Sequence, residues 1–170
     1  MILSYQEAFL KKQGLDVTQD QSQQLTEEEF GFFKTLCKER RIKVTPQRME
    51  IFRAVINAHD HPSADDVYNR VKDRLPVISL DTVYRTLATF ESGRIISRVS
   101  FCEDKTRFDP NLKPHHHLFC TVCKSLTDFY WPDFDNTGLP PEISKWGCPK
   151  TRHVQIRGIC SHCHRERNKA

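Results

Sequence analysis

Four of the seven cysteines fall in two pairs, Cys120-Thr121-Val122-Cys123 and Cys160-Ser161-His162-Cys163, with 36 residues between them. Each pair sets two thiolates on one tight turn. Two such turns supply four soft donors, the set that tetrahedral Zn²⁺ takes with no open position. In a chain with no secretory leader, short regular cysteine spacing points to metal rather than to disulfides. Cys37, Cys102 and Cys148 stand apart and read as ordinary thiols, with Cys102 placed in a turn where redox chemistry is open to it.

A second constellation is harder to explain as packing. His115-His116-His117 lies just before the first cysteine pair. On a strand, positions 115 and 117 share a face and 116 points away, so His115 and His117 can grip one ion together. Asp109 precedes them, Asp128 follows the first cysteine turn, and His61 sits in Asp60-His61-Pro62-Ser63. Three imidazoles and two carboxylates make a hard-to-borderline donor set, suited to Fe²⁺ or Mn²⁺.

The elements that must carry these groups read as four helices and two strands, then a different texture. Thr26 and Glu29 form a capping box ahead of Phe30, Phe33 and Leu36. Thr45-Pro46 opens a second helix with Met49, Phe52, Val55 and Ile56 inward. Ser63 caps a third, with Ala64, Val67, Val71 and Leu75 on one face. Ser79 caps a fourth that buries Leu80, Val83 and Leu87, shows Thr82, Arg85, Thr86 and Thr89 on the opposite face, and stops at Gly93 in a left-handed conformation. Residues 95–101 and 106–108 read as strands around a turn at 102–105. Compact helices followed by a hairpin describe a winged helix, whose recognition helix is the one before the hairpin.

Residues 1–25 are glutamine-rich, with only Phe9 and Leu10 suggesting a short helix, and read as an appendage. We therefore divide the chain into an extension (1–25), a winged-helix domain (26–108), a hinge (109–114) and a second domain (115–170). The hinge holds Asn111, Leu112 and Lys113 between Pro110 and Pro114. The second domain shows short strands at 117–121, 126–131 and 153–159 and a helix near 141–146. It is too small to hold itself together by its own core, which is what the four thiolates would remedy. The expected class is α+β.

Charge is unevenly spread. Residues 1–33 hold 2 Lys/Arg against 6 Asp/Glu, residues 34–107 hold 15 against 10, and residues 108–170 hold 9 against 6. An acidic leader thus masks a basic body, which fits a polyanionic partner. No apolar run is long enough to span a membrane, and the first residues lack the pattern of a signal peptide, so we place the protein in the cytoplasm. Nothing resembles a general base beside a pocket, which argues against a metalloenzyme.

The motifs then fall in an order that resembles the ferric uptake regulator superfamily. They are Val44-Thr45-Pro46-Gln47-Arg48, His61-Pro62-Ser63-Ala64-Asp65-Asp66, Ser79-Leu80-Asp81-Thr82-Val83-Tyr84-Arg85, Arg107-Phe108-Asp109, His115-His116-His117-Leu118-Phe119-Cys120, and the second cysteine pair. The resemblance covers residues 28–167. It implies a DNA-binding winged helix joined to a small α/β dimerisation domain, a homodimer on double-stranded operator DNA, and a regulatory metal held by His61, Asp109, His115, His117 and Asp128. Aspartate at both acidic positions is similar to the peroxide-sensing PerR-type branch. Pro114 and Arg152 stand where many iron sensors place histidines of a further metal site, which the resemblance implies is absent.

The function so implied is a metal-dependent repressor. Peroxide would oxidise a ligand histidine, His61 or His115, at bound iron and release the DNA. The alternative is an iron-responsive or zinc-responsive repressor of metal uptake. Tyr84 and Arg85 are the expected base or phosphate contacts, and Arg48 and Arg94 the expected phosphate contacts.

Overall fold

The structure is a computed structural model that describes residues 27–58, 60–99 and 105–169. The N-terminal extension, the Thr26 half of the capping box, and the wing tip with Cys102 lie outside the described residues.

Among the described residues four helices come first: α1 (Glu27–Glu39), α2 (Pro46–Ile56), α3 (Ala64–Val71) and α4 (Leu80–Ser92). The starts of α2, α3 and α4 follow the chemistry of their caps. The Thr45 hydroxyl accepts the Arg48 amide, and Pro46 needs no partner at the first helical position. Ser63 and Asp66 cap each other reciprocally at α3. The Ser79 hydroxyl accepts the Thr82 amide at α4. Phe33, Phe52 and Phe90, one each from α1, α2 and α4, form the centre of the core. Phe33 stacks on Phe52 at 4.5 Å, and Phe90 meets both edge-on at 5.8 and 6.3 Å.

Two expectations for α4 are corrected. Thr86 is not on the outer face but buried at 6 % exposure, because it lies three residues after Val83 and four before Phe90 on the inward stripe. Gly93 is not the left-handed residue; its φ is −78°, and Arg94 takes φ 53° instead. The Ile95 amide reaches the Phe90 carbonyl at 2.8 Å and the Arg94 amide the Glu91 carbonyl at 2.9 Å, a Schellman stop one residue later than expected. Gly93 answers a different need: a Cβ there would lie 2.7 Å from Ile42 Cδ1. Helix α1 ends the same way, with Arg41 at φ 57° and the Ile42 amide on the Cys37 carbonyl at 2.7 Å.

The wing follows as β1 (Ser97–Val99) and β2 (Arg107–Asp109), paired antiparallel with Ser97 opposite Asp109. On its other side β2 meets the loop before α3. Ser63 bridges Arg107, and the Phe108 amide bonds the Pro62 carbonyl at 2.9 Å. The second unit is a three-stranded sheet of β3 (His116–Cys120), β4 (Leu126–Phe129) and β5 (Gln155–Gly158), in the order β4-β3-β5. Strand β3 is antiparallel to β4 and parallel to β5. Helix α6 (Pro141–Trp146) is where the sequence places one. Helices α5 (Pro132–Asn136) and α7 (Ser161–Arg167) were not expected, being only five and seven residues long.

Buried apolar packing in this unit is sparse. Phe119 and Leu126 share a small cluster with Val99 of the wing, so part of the second unit's core is borrowed from the first. Among the described residues no helix is long and apolar enough to cross a membrane.

Arg41 carries a side chain in a region that disfavours one by about 1 kcal/mol. Arg41→Gly is expected to raise stability by up to that amount, as the midpoint of a denaturant titration would show. A lower midpoint would mean that the guanidinium contributes more than the backbone relief.

Candidate functional site

Among the described residues, two groups of ligand-type side chains gather in space. In each, the donor atoms all lie within 4.8 Å of one another. The first is Cys120, Cys123, Cys160 and Cys163. Cys120 ends β3, and a turn through Lys124 at φ 61° returns the chain to β4. Cys160 is the N-cap of α7, its sulfur facing the Cys163 amide at 3.5 Å. That helix end favours a thiolate through its free amides and its dipole.

The Cys123 and Cys160 sulfurs are 3.8 Å apart, close to the roughly 3.8 Å separation of two sulfurs held about 2.3 Å from one tetrahedral ion. Amides of Cys160 and Cys123 bring the Cys120 thiol down to about 6, whereas burial and the surrounding sulfurs push Cys163 up to about 12. Four thiolates in this space therefore require a cation, and the donor set fits zinc.

The second group is His61, Asp109, His115, His117 and Asp128. Two pairings assemble it. The rung between Pro62 and Phe108 puts His61 beside Asp109 at the end of β2. The register of β3 with β4 puts His117 directly opposite Asp128. Residues 110–114 then join the halves. His61 Nε2 stands 2.7 Å from Asp128 Oδ1 and 3.8 Å from Asp109 Oδ2. His115 Nε2 lies 2.8 Å from Asp109 Oδ2 and 3.0 Å from His117 Nε2. The Lys113 carbonyl accepts His115 Nδ1–H at 2.7 Å, which fixes the tautomer and leaves Nε2 for a ligand role.

Asp109 is almost wholly buried. His61 Nε2, Asp109 Oδ2 and Asp128 Oδ1 are buried atoms without a well-formed hydrogen bond, and all three turn to the same point. A divalent ion there would neutralise both carboxylates and complete these atoms, so the residues fit such a metal.

The electrostatics agree. Burial works against charge on Asp109, but bonds from His115 and His117 and the nearness of His61 outweigh it and hold the acid far below its ordinary range. Asp128 is likewise lowered: burial and Asp109 oppose its charge, and His61 and His115 favour it. For His115, burial is overcome by the bonds to Asp109 and Lys113 and by both carboxylates, which raise it to about 9.

Sequence reasoning passed over two residues that hold this site. Arg107 donates from Nη1 to the carbonyls of Asp60 and His61 and from Nη2 to that of Lys124, each at 3.2 Å. It thus ties the His61 loop to the first cysteine turn. His61 has φ 51°, a conformation an L-residue holds only where its surroundings impose it. The arginine was visible only as part of a motif, and no spacing rule links it to residue 124. Asn111, read as hinge, is buried against both acids.

His116 points away, as expected. Its Nδ1 accepts the Val154 amide at 3.1 Å, and its Nε2 lies 3.4 Å from Asp135. Arg152 donates to the carbonyls of Thr137 and Asp135 and lies over Phe134. Cys37 is buried in the main core and Cys148 is exposed.

The expected nucleic-acid contacts are spread over α2, α4 and the turn that ends α4. Tyr84 (48 % exposed) and Arg85 project from α4, with Arg85 paired to Asp81 at 3.0 Å. Arg94 is exposed at the end of α4, and Arg48 is half-buried and donates to the Lys43 carbonyl at 2.7 Å.

The Ferric uptake regulator family matches residues 39–156. The chain belongs to this family. It is thus a metal-responsive transcriptional regulator and not an enzyme. It is 32 % identical to the peroxide-responsive repressor PerR of Staphylococcus epidermidis over 128 residues, 75 % of this chain and 85 % of that protein. Among solved structures it resembles the ferric uptake regulator of Francisella tularensis with iron (TM-score 0.61, 29 % identity, 72 % of this chain and 95 % of that one). It also resembles a zinc-bound manganese uptake regulator (TM-score 0.60, 27 % identity, 75 % and 97 %). Family membership agrees with the α+β architecture of a helical unit, a wing and a small second sheet.

Two outcomes follow. A metal entering the second group must displace the His115 proton, so affinity for Mn²⁺ should rise with pH up to about 9 and level off above it. Calorimetric titration across that range checks this; a flat profile would show that His115 is not a ligand. Without metal the sign reverses. The His115 contribution to stability is complete below about 6.5 and disappears as pH rises through about 9. Separately, Arg107→Met should weaken Mn²⁺ binding about ten- to a hundredfold while the cysteine site keeps its metal. Unchanged affinity would remove Arg107 from the site's support.

Proposed function

We propose that the protein is a homodimeric, metal-dependent repressor of the peroxide-responsive kind. In this reading Cys120, Cys123, Cys160 and Cys163 hold a structural Zn²⁺. His61, Asp109, His115, His117 and Asp128 hold a regulatory Fe²⁺ or Mn²⁺. The observation that carries the reading is the convergence of donor atoms from the helical unit, the end of the wing and the second sheet on one point. Filling that point fixes how the second sheet is posed against α4, and hence how far apart two copies of α4 stand. That spacing must match DNA half-sites.

Tyr84 and Arg85 then face the base edges or phosphates, and Arg48 and Arg94 the phosphates. A basic body behind these residues suits the partner. Leu118 and Ile156 lie opposite each other in β3 and β5 and are both largely exposed. They offer an apolar sheet face for the second copy. The proposed domain limits remain 26–108, 109–114 and 115–170, with β2 running one residue past the first of them, to Asp109. No described helix crosses a membrane, which agrees with a cytoplasmic setting.

Iron supplies the means to reduce peroxide beside the imidazoles. His61 and His115 are the candidates to gain one oxygen atom, with water as the other product. Both rings lie against carboxylate oxygens of the site, so the oxidised ring loses its hold where the two halves meet. The similarity to a peroxide-responsive repressor, aspartate rather than glutamate at 128, and aspartate at 109 support this reading over an iron- or zinc-responsive one.

The test is operator binding with Fe²⁺ and with Mn²⁺, each before and after peroxide, with mass spectrometry of the His61 and His115 peptides. Loss of binding with iron alone, together with one added oxygen, is expected. Binding that persists with iron, or is lost without any added oxygen, would favour the iron-responsive alternative.

A further inference from the structure

We infer that Asn111 is a positioning residue that makes both site carboxylates one-oxygen ligands and so keeps a coordination position open. The inference rests on the five-residue metal site proposed above. Asn111 is 8 % exposed and sits between the two acids. Its backbone amide donates to Asp109 Oδ1 at 2.7 Å. Its side-chain Nδ2 donates to Asp128 Oδ2 at 3.2 Å and to the Tyr130 hydroxyl at 3.1 Å. Its Oδ1 accepts the Lys113 amide at 3.2 Å. Every hydrogen-bonding group of the side chain is therefore in use. A flipped amide would set its oxygen against the Asp128 carboxylate, which fixes the orientation.

The consequence lies in which oxygens remain. Asp109 gives Oδ1 to Asn111 and turns Oδ2 toward His115, His117 and His61, at 2.8, 3.6 and 3.8 Å. Asp128 gives Oδ2 to Asn111 and turns Oδ1 toward His61, His117 and His115, at 2.7, 3.5 and 3.6 Å. One residue thus divides both carboxylates in the same sense. A carboxylate with one oxygen engaged by an N–H cannot readily close as a two-oxygen chelate. With three imidazole nitrogens the protein then offers five donors. A first-row dication held by these five is five-coordinate, with a sixth position left for an added small ligand. Freed from Asn111, Asp128 could supply both oxygens and fill that place itself.

The test uses the full-length protein with zinc in the cysteine site and Co²⁺ added as a spectroscopic probe, with azide as the small ligand. Wild type should show the stronger visible bands of five-coordinate cobalt, and azide should shift them. Asn111→Leu keeps the backbone amide but loses the side-chain donor. It should show the weaker bands of six-coordinate cobalt and a response to azide reduced at least tenfold. Asn111→Gln, which can restore a donor to Asp128, should recover part of the azide response.

Should Asn111→Leu fail to fold by circular dichroism, Tyr130→Phe takes its place. It removes the hydroxyl that orients the amide from a half-exposed position and should shift the bands in the same direction. Superimposable cobalt spectra and equal azide responses in wild type and variant would overturn the role of Asn111 while leaving the metal site standing. Failure of wild type to bind cobalt beyond the cysteine site would instead overturn the site itself, and the inference with it.

Discussion

Two close carboxylates, Asp109 buried and Asp128 half-buried, govern this structure. Asp109 and Asp128 face each other's imidazole partners across the junction of two sheets. Burying one ionised carboxylate without compensation costs several kcal/mol, and two near one another cost more. Without a metal, the arrangement borrows a proton on His115 as counter-charge. That proton carries half the charge of the two acids, so it is an incomplete remedy. The helical unit, the wing and the second sheet are each built so that a single dication is the better one.

Bringing His61 to that junction takes unusual backbone. The residue precedes Pro62, sits in the left-handed region, and has both its own carbonyl and that of Asp60 held by Arg107. The Pro62–Phe108 rung makes this loop in effect a third strand of the wing. His61 and Asp109 therefore move together, whatever the second unit does. Between Asp109 and His115 the chain runs through residues 110–114, the hinge of the proposed reading, with Asn111 buried against both acids. The same arginine reaches Lys124 in the cysteine turn, so the closed thiolate site and the mixed imidazole–carboxylate site are one guanidinium apart.

Much of this was legible in the sequence, and the reasons for success and failure are physical. Caps at Thr45, Ser63 and Ser79 are local chemistry, and the helices begin where those side chains dictate. The cysteine pairs and His-x-His are short-range patterns whose geometry follows from turn and strand periods. Their assembly into two clusters is what the structure adds. The errors lie where tertiary context wins. Gly93 looked like a left-handed stop, yet Arg94 takes the turn, and a Cβ at Gly93 would press on Ile42 Cδ1 and the Thr89 carbonyl. Thr86 looked like a surface residue because of its hydroxyl, but the helical period places it inward. Helix α7 is too short for a periodic signal, and its start is set by a cysteine acting as cap. Asn111 and Arg107 act across 17 residues each, to Asp128 and Lys124, and no local rule reports such contacts.

In the proposed function residues 110–114 act as the hinge, and their energetics bear on how a metal would act as a switch. Ordering five backbone residues costs on the order of 5–10 kcal/mol, and prolines at 110 and 114 lower that because their φ is already fixed. A micromolar ligand supplies about 8 kcal/mol. The two quantities are of similar size, so in that reading occupancy of the junction would decide whether the hinge is ordered. A site built wholly within one sheet would bind more tightly but move nothing, which is the condition of the four cysteines. Their two turns belong to one small unit and close on each other regardless of how α4 is posed. The division of labour between the two clusters thus follows from where their donors sit in the chain: ligands confined to one unit stabilise it, and ligands shared across a hinge set its angle.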